Sequence, residues 1–254
     1  MQIYPTDLTD NQWSKIEKLF DNRKRKHPLR SIVNALFYVA KSGIQWRMLP
    51  KEYPKWQLVY YYFRKWLGDG LIEEIHDMLR SLCRIQACRY ESPSLGLIDS
   101  QRVKTSSMTQ EKGYDGGKKI QGRKRHIVTD TLGFILAVVV HSADLQDREG
   151  AKLVLQELRF KFPRLRKILA DGGYTGEQLA RWVVQVTGWA LEIVAKVAGT
   201  GGFNVIPQRW MVERTFGWFN FNRRLAKDYE TKTECSTAFI HIAMCRIMLK
   251  RVKK

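Results

Sequence analysis

Acidic residues are in short supply in this 254-residue chain: 25 Asp and Glu stand against 44 Lys and Arg, for a formal net charge of +19. Such an imbalance points to a polyanionic partner, with nucleic acid foremost. Long apolar runs are also missing. The longest, Ile135 to Val140, is far short of the roughly 20 residues that cross a bilayer, so no membrane partner is expected. Cysteine is limited to Cys83, Cys88, Cys235 and Cys245, with no CxxC pair and no His at zinc-finger spacing. The four are read as buried free thiols in a reducing compartment, without disulfides. The opening Met-Gln-Ile-Tyr-Pro-Thr-Asp has neither the basic nor the apolar region of a secretory signal, so a cytoplasmic location is expected. No Ser-His-Asp or Cys-His constellation occurs at recognisable spacing, which leaves no protein nucleophile to build a mechanism on.

What is present is globular material: 44% hydrophobic and 11% aromatic residues, enough apolar surface to offset chain entropy. The cations are clustered. Asn22 to Arg30, Lys118 to His126 and the last nine residues concentrate them, and the second cluster is interspersed with glycine rather than with carboxylates.

Residues 1–90 read as a small all-helical domain. Thr9-Asp-Asn-Gln12 fits a capping box ahead of Trp13, Ile16, Leu19 and Phe20 at helical spacing. A second helix is predicted over 29–42 and ended by Gly43. A third, over 56–67, carries Tyr60, Tyr61, Tyr62, Arg64 and Lys65, and a fourth starts near Leu71. Short helices with a basic, tyrosine-rich third member resemble a helix-turn-helix module, which makes Arg64 and Lys65 candidate DNA contacts.

Residues 91–254 read as a second domain of strands alternating with helices. Strands are predicted over 94–100, 125–129, 134–140, 167–171 and 191–197. The segment 113–122 is read as a glycine-rich loop, and helices as 143–162, 176–186 and a long stretch after Pro207. This order permits one mixed sheet, with an antiparallel hairpin on one side and right-handed parallel crossovers on the other. The fold class expected is α+β or α/β, a ribonuclease H-like mixed sheet with flanking helices.

Two apolar strand segments end alike, Leu95-Gly-Leu-Ile-Asp99 and Lys167-Ile-Leu-Ala-Asp171. Aspartates at the carboxyl ends of neighbouring parallel strands face one crevice, repel each other and call for a cation; all-oxygen ligation favours Mg²⁺ or Mn²⁺. On the last helical stretch Arg209, Glu213, Asn220, Arg224 and Lys227 fall on one stripe opposite Met211, Trp218, Phe219 and Leu225, which selects Glu213 as a third carboxylate. Two metal ions held this way could activate water or a 3′-hydroxyl for attack on phosphorus. Asp144 and Asp147 precede a helix and read as caps. His126 and His141 read as packed or phosphate-facing, Ser100, Gln101 and Thr105 as polar followers of Asp99 able to contact DNA or water, and Gly172 and Gly173 as letting backbone pass close to substrate or relieving a tight turn.

Five stretches then carry a specific resemblance: LTDNQW, GIQWRMLPKEYPKWQLVYYYFRKW, LIDSQRVKTS, GYDGGKKIQGRKRHIVTDTLG, and ADGGYTG followed by VERTFGWFNFNRRLAKDYE. Together they cover nearly the whole chain, which resembles a DDE transposase of bacterial insertion sequences, in the insertion-sequence-five branch. The resemblance implies a ribonuclease H-like catalytic domain and two Mg²⁺ (or Mn²⁺) ions on Asp99, Asp171 and Glu213. It also implies binding of the element's inverted repeats and strand transfer into target DNA. A homodimer or larger assembly on DNA, near the nucleoid and without a small-molecule substrate, follows from the need to bring two ends together. A Tyr-Arg-Lys signature around the glutamate is incomplete here: Arg209 matches, but Ile206 and Asn220 replace Tyr and Lys. Arg214, Arg223 and Arg224 stand in as phosphate contacts, joined by Lys118, Lys119, Arg123, Lys124 and Arg125 of the basic segment. The 42 residues from Asp171 to Glu213 (213 − 171) leave no room for a large insertion domain. Two rivals stay open: a noncatalytic DNA-binding repressor derived from a transposase, and a ribonuclease H-like nuclease.

Overall fold

The computed structural model describes residues 3–21, 23–194 and 210–252. Its chain divides into two compact units, one of Met1–Ala87, Phe219–Lys227 and Ala238–Lys254, the other of Cys88–Trp218 and Asp228–Thr237. The division at residue 90 drawn from the sequence assigned the whole C-terminal stretch to the second domain, whereas two of its segments belong to the first unit.

In the first unit, α1 (Asp10–Ile16), α2 (Leu29–Ser42), α3 (Trp56–Gly68) and α4 (Leu71–Gln86) are the four expected helices. The capping box is formed, Gln12 N–H donating to Thr9 Oγ1 at 3.2 Å and Thr9 N–H to Gln12 Oε1 at 3.0 Å. Val59, Phe63 and Trp66 of α3 are buried, which turns Tyr60 and Tyr61 outward. The core is closed by the C-terminal part of α9 (Thr233–Leu249): Phe63 stacks on Phe239 at 5.0 Å and His76 lies 4.7 Å from His241. A fully buried apolar side chain such as Val59 or Phe63 contributes about 1.5–3 kcal/mol.

The second unit holds one mixed, six-stranded sheet: β1 (Leu95–Lys104), β2 (Gly113–Asp115), β3 (Ile120–Thr129), β4 (Ile135–Ser142), β5 (Lys167–Ala170) and β6 (Ala190–Ile193). β3 pairs antiparallel with β1, β2 and β4, whereas β1, β5 and β6 run parallel. The helices α5 (Asp147–Leu158) and α6 (Glu177–Thr187) lie on one face, where Val154, Leu155, Leu158 and Val183 pack with Ile98, Val128, Ile168 and Ala170.

Several predicted elements are redrawn. The expected loop over 113–122 contains two paired strands, β2 and the start of β3, because Gly122 lets β3 pass where any side chain would collide with β1: a Cβ there would lie 2.0 Å from the Val103 carbonyl oxygen. The predicted strand 94–100 runs on to Lys104, held by β3 after β5 has ended. The helix expected over 143–162 is α5 alone, with Gln146 at its N-cap position and no side-chain capping bond. The long helical stretch after Pro207 is broken into α7 (Trp210–Asn220), α8 (Arg223–Ala226) and α9. Pro207, Ile206 and the end of the strand predicted to 197 lie outside the described residues. Of the four thiols, Cys83, Cys235 and Cys245 are buried, whereas Cys88, in a left-handed turn after α4, is exposed.

Candidate active site

The parallel pairing of β1 with β5 ends at Leu97 opposite Leu169. Asp99 and Asp171 each follow two residues later, so both occupy the sheet face opposite the one covered by α5 and α6. Asp99 is therefore not at a strand end, as its sequence context suggests, but at the point where β1 loses its parallel neighbour. Both carboxylates are partly exposed. Asp99 accepts the Ser100 N–H at 2.7 Å, and Asp171 accepts the Gly173 N–H at 2.8 Å, capping a 3₁₀ turn over Gly172–Tyr174. Two anions on adjacent strands favour a bound hard cation, and their oxygen donors suit Mg²⁺ or Mn²⁺.

Asp147, at the start of α5, comes close to Asp171. A Cβ added to Gly173 would stand 3.0 Å from Asp171 Oδ1 and 3.7 Å from Asp147 Oδ2, so glycine here leaves both carboxylates room. Asp147 accepts Ser100 Oγ–H at 3.1 Å, lies 3.1 Å from Lys124 Nζ and 3.4 Å from Arg102 Nη2, and sits 3.8 Å from His126 Nε2. Burial works to raise its pKa, but Lys124 and Arg102 outweigh burial and hold it below the usual carboxylate range. The Tyr174 hydroxyl is buried beside these groups: burial first, then the charges of Asp99 and Asp147 and, more weakly, Asp171, push its pKa well up. In sequence Asp147 reads as a helix cap, and nothing local marks it as more.

Glu213 lies on an exposed position of α7. The helix docks on the β3–β4 turn through Thr215 Oγ1–H to the Gly133 carbonyl (2.7 Å) and Arg214 Nη2 to the Leu132 carbonyl (2.8 Å). Val212, Thr215 and Phe219 are its buried side. Among the described residues no three His, Cys, Asp or Glu side chains are grouped so that they could hold a metal ion. The structure thus brings Asp99, Asp171 and Asp147 to one neighbourhood and does not gather Glu213 into a ligand group with them.

The predicted phosphate contacts separate into surface and interior cations. Lys118, Lys119 and Arg223 are exposed, as is Lys65, which pairs with Asp69 at 2.9 Å; Arg64 is half-buried. Arg214 is half-buried between Trp210 and Trp218, 5.0 and 4.8 Å from their rings. Arg123, Lys124 and Arg125 are only 0, 2 and 1% exposed, because β3 is central in the sheet and both of its faces are covered. Arg123 donates to the Asp228 carboxylate, to Ser236 Oγ and to the Glu230 and Thr231 carbonyls. Lys124 Nζ donates to the Leu145 carbonyl at 2.6 Å, and Arg125 to Gln101 Oε1 at 3.3 Å, with burial pushing the Arg125 pKa down to about 10. Arg224, read from sequence as part of one polar stripe with Glu213, sits instead in the separate helix α8. It is buried over the rings of Trp46 and Phe239, and donates to the Ile44 carbonyl at 3.1 Å. These four are structural cations rather than surface grips. Arg209 lies outside the described residues.

Comparison with known proteins adds two family matches. Residues 90–248 match the transposase DDE domain, and residues 8–76 match a family described as "Putative transposase of IS4/5 family". A protein of Burkholderia cepacia described as "Putative transposase for insertion sequence element IS402" is 30% identical over 141 residues, which cover 52% of this chain and 65% of that relative. The chain therefore spans just under two thirds of the relative it matches. No helix among the described residues is long and apolar enough to cross a membrane.

Proposed function

Since the chain belongs to the transposases with a DDE domain, of IS4/5 type, we propose that it cuts DNA at the inverted-repeat ends of an insertion sequence and joins the freed ends to target DNA. The observation that carries this reading is the equivalent placement of Asp99 and Asp171 on adjacent parallel strands, two residues beyond Leu97 and Leu169. The second unit is then a ribonuclease H-like catalytic domain. Asp99 and Asp171 hold two Mg²⁺ or Mn²⁺ ions, with Glu213 supplied from α7 as the third ligand. Ions bound there supply activation of water or a 3′-hydroxyl and stabilisation of the leaving oxygen in an in-line displacement at phosphorus.

The chain's own part is positioning. The Ser100 and Gly173 N–H groups fix the two aspartates before substrate arrives, and preorganised geometry of this kind lowers the barrier without a protein nucleophile. In the second unit Arg214, Lys118 and Lys119 contact DNA phosphates, and Arg223 does so from the first. The helical unit binds the element ends through Arg64 and Lys65 on α3, and two copies act together on paired ends. The protein works in the cytoplasm, on the nucleoid.

A second reading is favoured by one observation, that among the described residues no third ligand closes with the aspartate pair: a DNA-binding repressor that keeps the fold without the chemistry. Incubation with element-end DNA and Mg²⁺, beside Asp171→Ala, separates the two. Nicking and joining by the native protein, lost in the variant, supports the enzyme. Binding without cutting supports the repressor, and equal cutting of unrelated DNA supports a nuclease.

A further inference from the structure

Behind the aspartate pair lies a buried charge network that a strand-transfer site does not by itself require. Ser100, Arg102, Lys124 and His126 share one face of β1 and β3 through the pairs Ser100 with His126 and Arg102 with Lys124. Arg102 is bonded to Asp115 and lies 3.4 Å from Asp147. Lys124 lies 3.1 Å from Asp147 and 3.7 Å from Asp115. Two cations thus face two carboxylates. His126 adds no charge: its pKa is lowered by burial first and then by His141, 2.7 Å away.

Asp147 has the central place. One oxygen takes the hydroxyl of Ser100, the residue after Asp99, and the ammonium of Lys124, while the other faces Arg102 and lies beside Gly173, two residues after Asp171. With both oxygens facing protein donors, it is poorly disposed to ligate a metal.

We propose that Asp147 is a positioning residue, latching Ser100 and the Gly172–Tyr174 turn so that Asp99 and Asp171 stay opposed, and keeping Lys124 and Arg102 paired away from those carboxylates. The inference rests on the catalytic reading of Asp99 and Asp171 given above. Its consequence is electrostatic. With the Asp147 charge removed, Lys124 and Arg102 share Asp115 alone, and the surplus positive charge competes with a divalent cation for the aspartate pair.

The test measures Mn²⁺ binding in solution and the Mg²⁺ midpoint for end cleavage, on the full chain. Asp147→Asn should weaken Mn²⁺ binding and raise the Mg²⁺ midpoint about tenfold, the scale of one uncompensated charge nearby at an effective dielectric of about 20. Asp147→Asn combined with Lys124→Met restores charge balance and should bring both readouts back towards wild type. An Mn²⁺ stoichiometry that drops by one in Asp147→Asn and stays low in the double variant would make Asp147 a ligand and overturn the proposal, as would unchanged binding and cleavage in the single variant. Ser100→Ala, which disturbs folding least, should slow cleavage at saturating Mg²⁺ without moving the midpoint; unaltered cleavage rejects the latch. Wild-type protein that neither binds Mn²⁺ nor cuts element ends fails at the catalytic reading itself, before Asp147 is in question.

Discussion

Asp171 and Asp147 both approach the Cβ position that Gly173 leaves empty, so closely that one added methyl group would lie 3.0 Å from a carboxylate oxygen of the first and 3.7 Å from one of the second. The backbone at Gly173 is not in the left-handed region, so alanine is sterically allowed there by its own φ. Gly173→Ala should therefore leave stability unchanged or raise it by about 0.5 kcal/mol through a less flexible unfolded chain. Cleavage should fall, but by less than the roughly 100-fold that a displacement of about 1 Å costs, because Asp171 need yield only slightly to the added methyl group. Thermal melts beside an end-cleavage assay check both halves, and full activity in a folded variant would remove the Asp171 neighbourhood from the mechanism.

The interior cations of β3 predict a different phenotype from the exposed ones. Arg123 is fully buried and bonded to Asp228 and several carbonyls, so Arg123→Met leaves Asp228 inside without its cation and should cost about 3–5 kcal/mol. Lys118→Ala with Lys119→Ala, at exposed positions, should move stability by no more than about 0.5 kcal/mol. Urea denaturation distinguishes the two; similar losses in both would contradict the burial.

Much of this was legible in the chain, and the misses share a cause. The paired contexts of Asp99 and Asp171 announce themselves because apolar strand residues precede each acid. The capping box at Thr9 is equally local. Arg123 to Arg125 mislead because three successive cations ordinarily mean solvent, and only the pairing of β3 on both edges, with Asp115 and Asp228 supplied from elsewhere, makes burial affordable. Asp147 is hidden likewise: an aspartate at the start of α5 satisfies a capping rule, whereas its partners Ser100, Arg102 and Lys124 come from strands 47, 45 and 23 residues away in sequence (147 − 100, 147 − 102, 147 − 124). Glu213 was selected by a helical stripe running to Lys227, but α7 stops at Asn220.

Buried histidines predict the acid side of the stability profile. Burial lowers the pKa of His126, His141 and His76 in the folded protein. As pH falls below the ordinary value of about 6.5, the unfolded chain gains protons that the folded chain does not, so stability declines from that pH downward. Asp115, held at about 2 chiefly by Arg102, acts in the same direction at lower pH: its contribution is complete above the unfolded value of about 3.9 and is lost as pH falls through the folded one. Urea midpoints should drop between pH 7 and 5 and again below 4, and His126→Gln should flatten the first decline. A midpoint constant from pH 7 to 5 would contradict the neutral histidines.

Arg223 and Arg224 are adjacent in sequence and should respond oppositely. Arg224 is buried over Trp46 and Phe239 and donates to the Ile44 carbonyl, so Arg224→Ala should lower stability by about 2 kcal/mol through lost packing, cation–π attraction and a freed carbonyl. It should leave the salt dependence of DNA binding as it was. Arg223 is exposed. If it contacts phosphate, Arg223→Ala should barely change stability but reduce the slope of log affinity against log salt by about 1, because one fewer counterion is released on binding. Affinities measured across a salt series, with melts on the same preparations, read both effects. An unchanged slope for Arg223→Ala would take that side chain out of the DNA interface, and a reduced slope for Arg224→Ala in a folded protein would show that the interior cation reaches DNA after all.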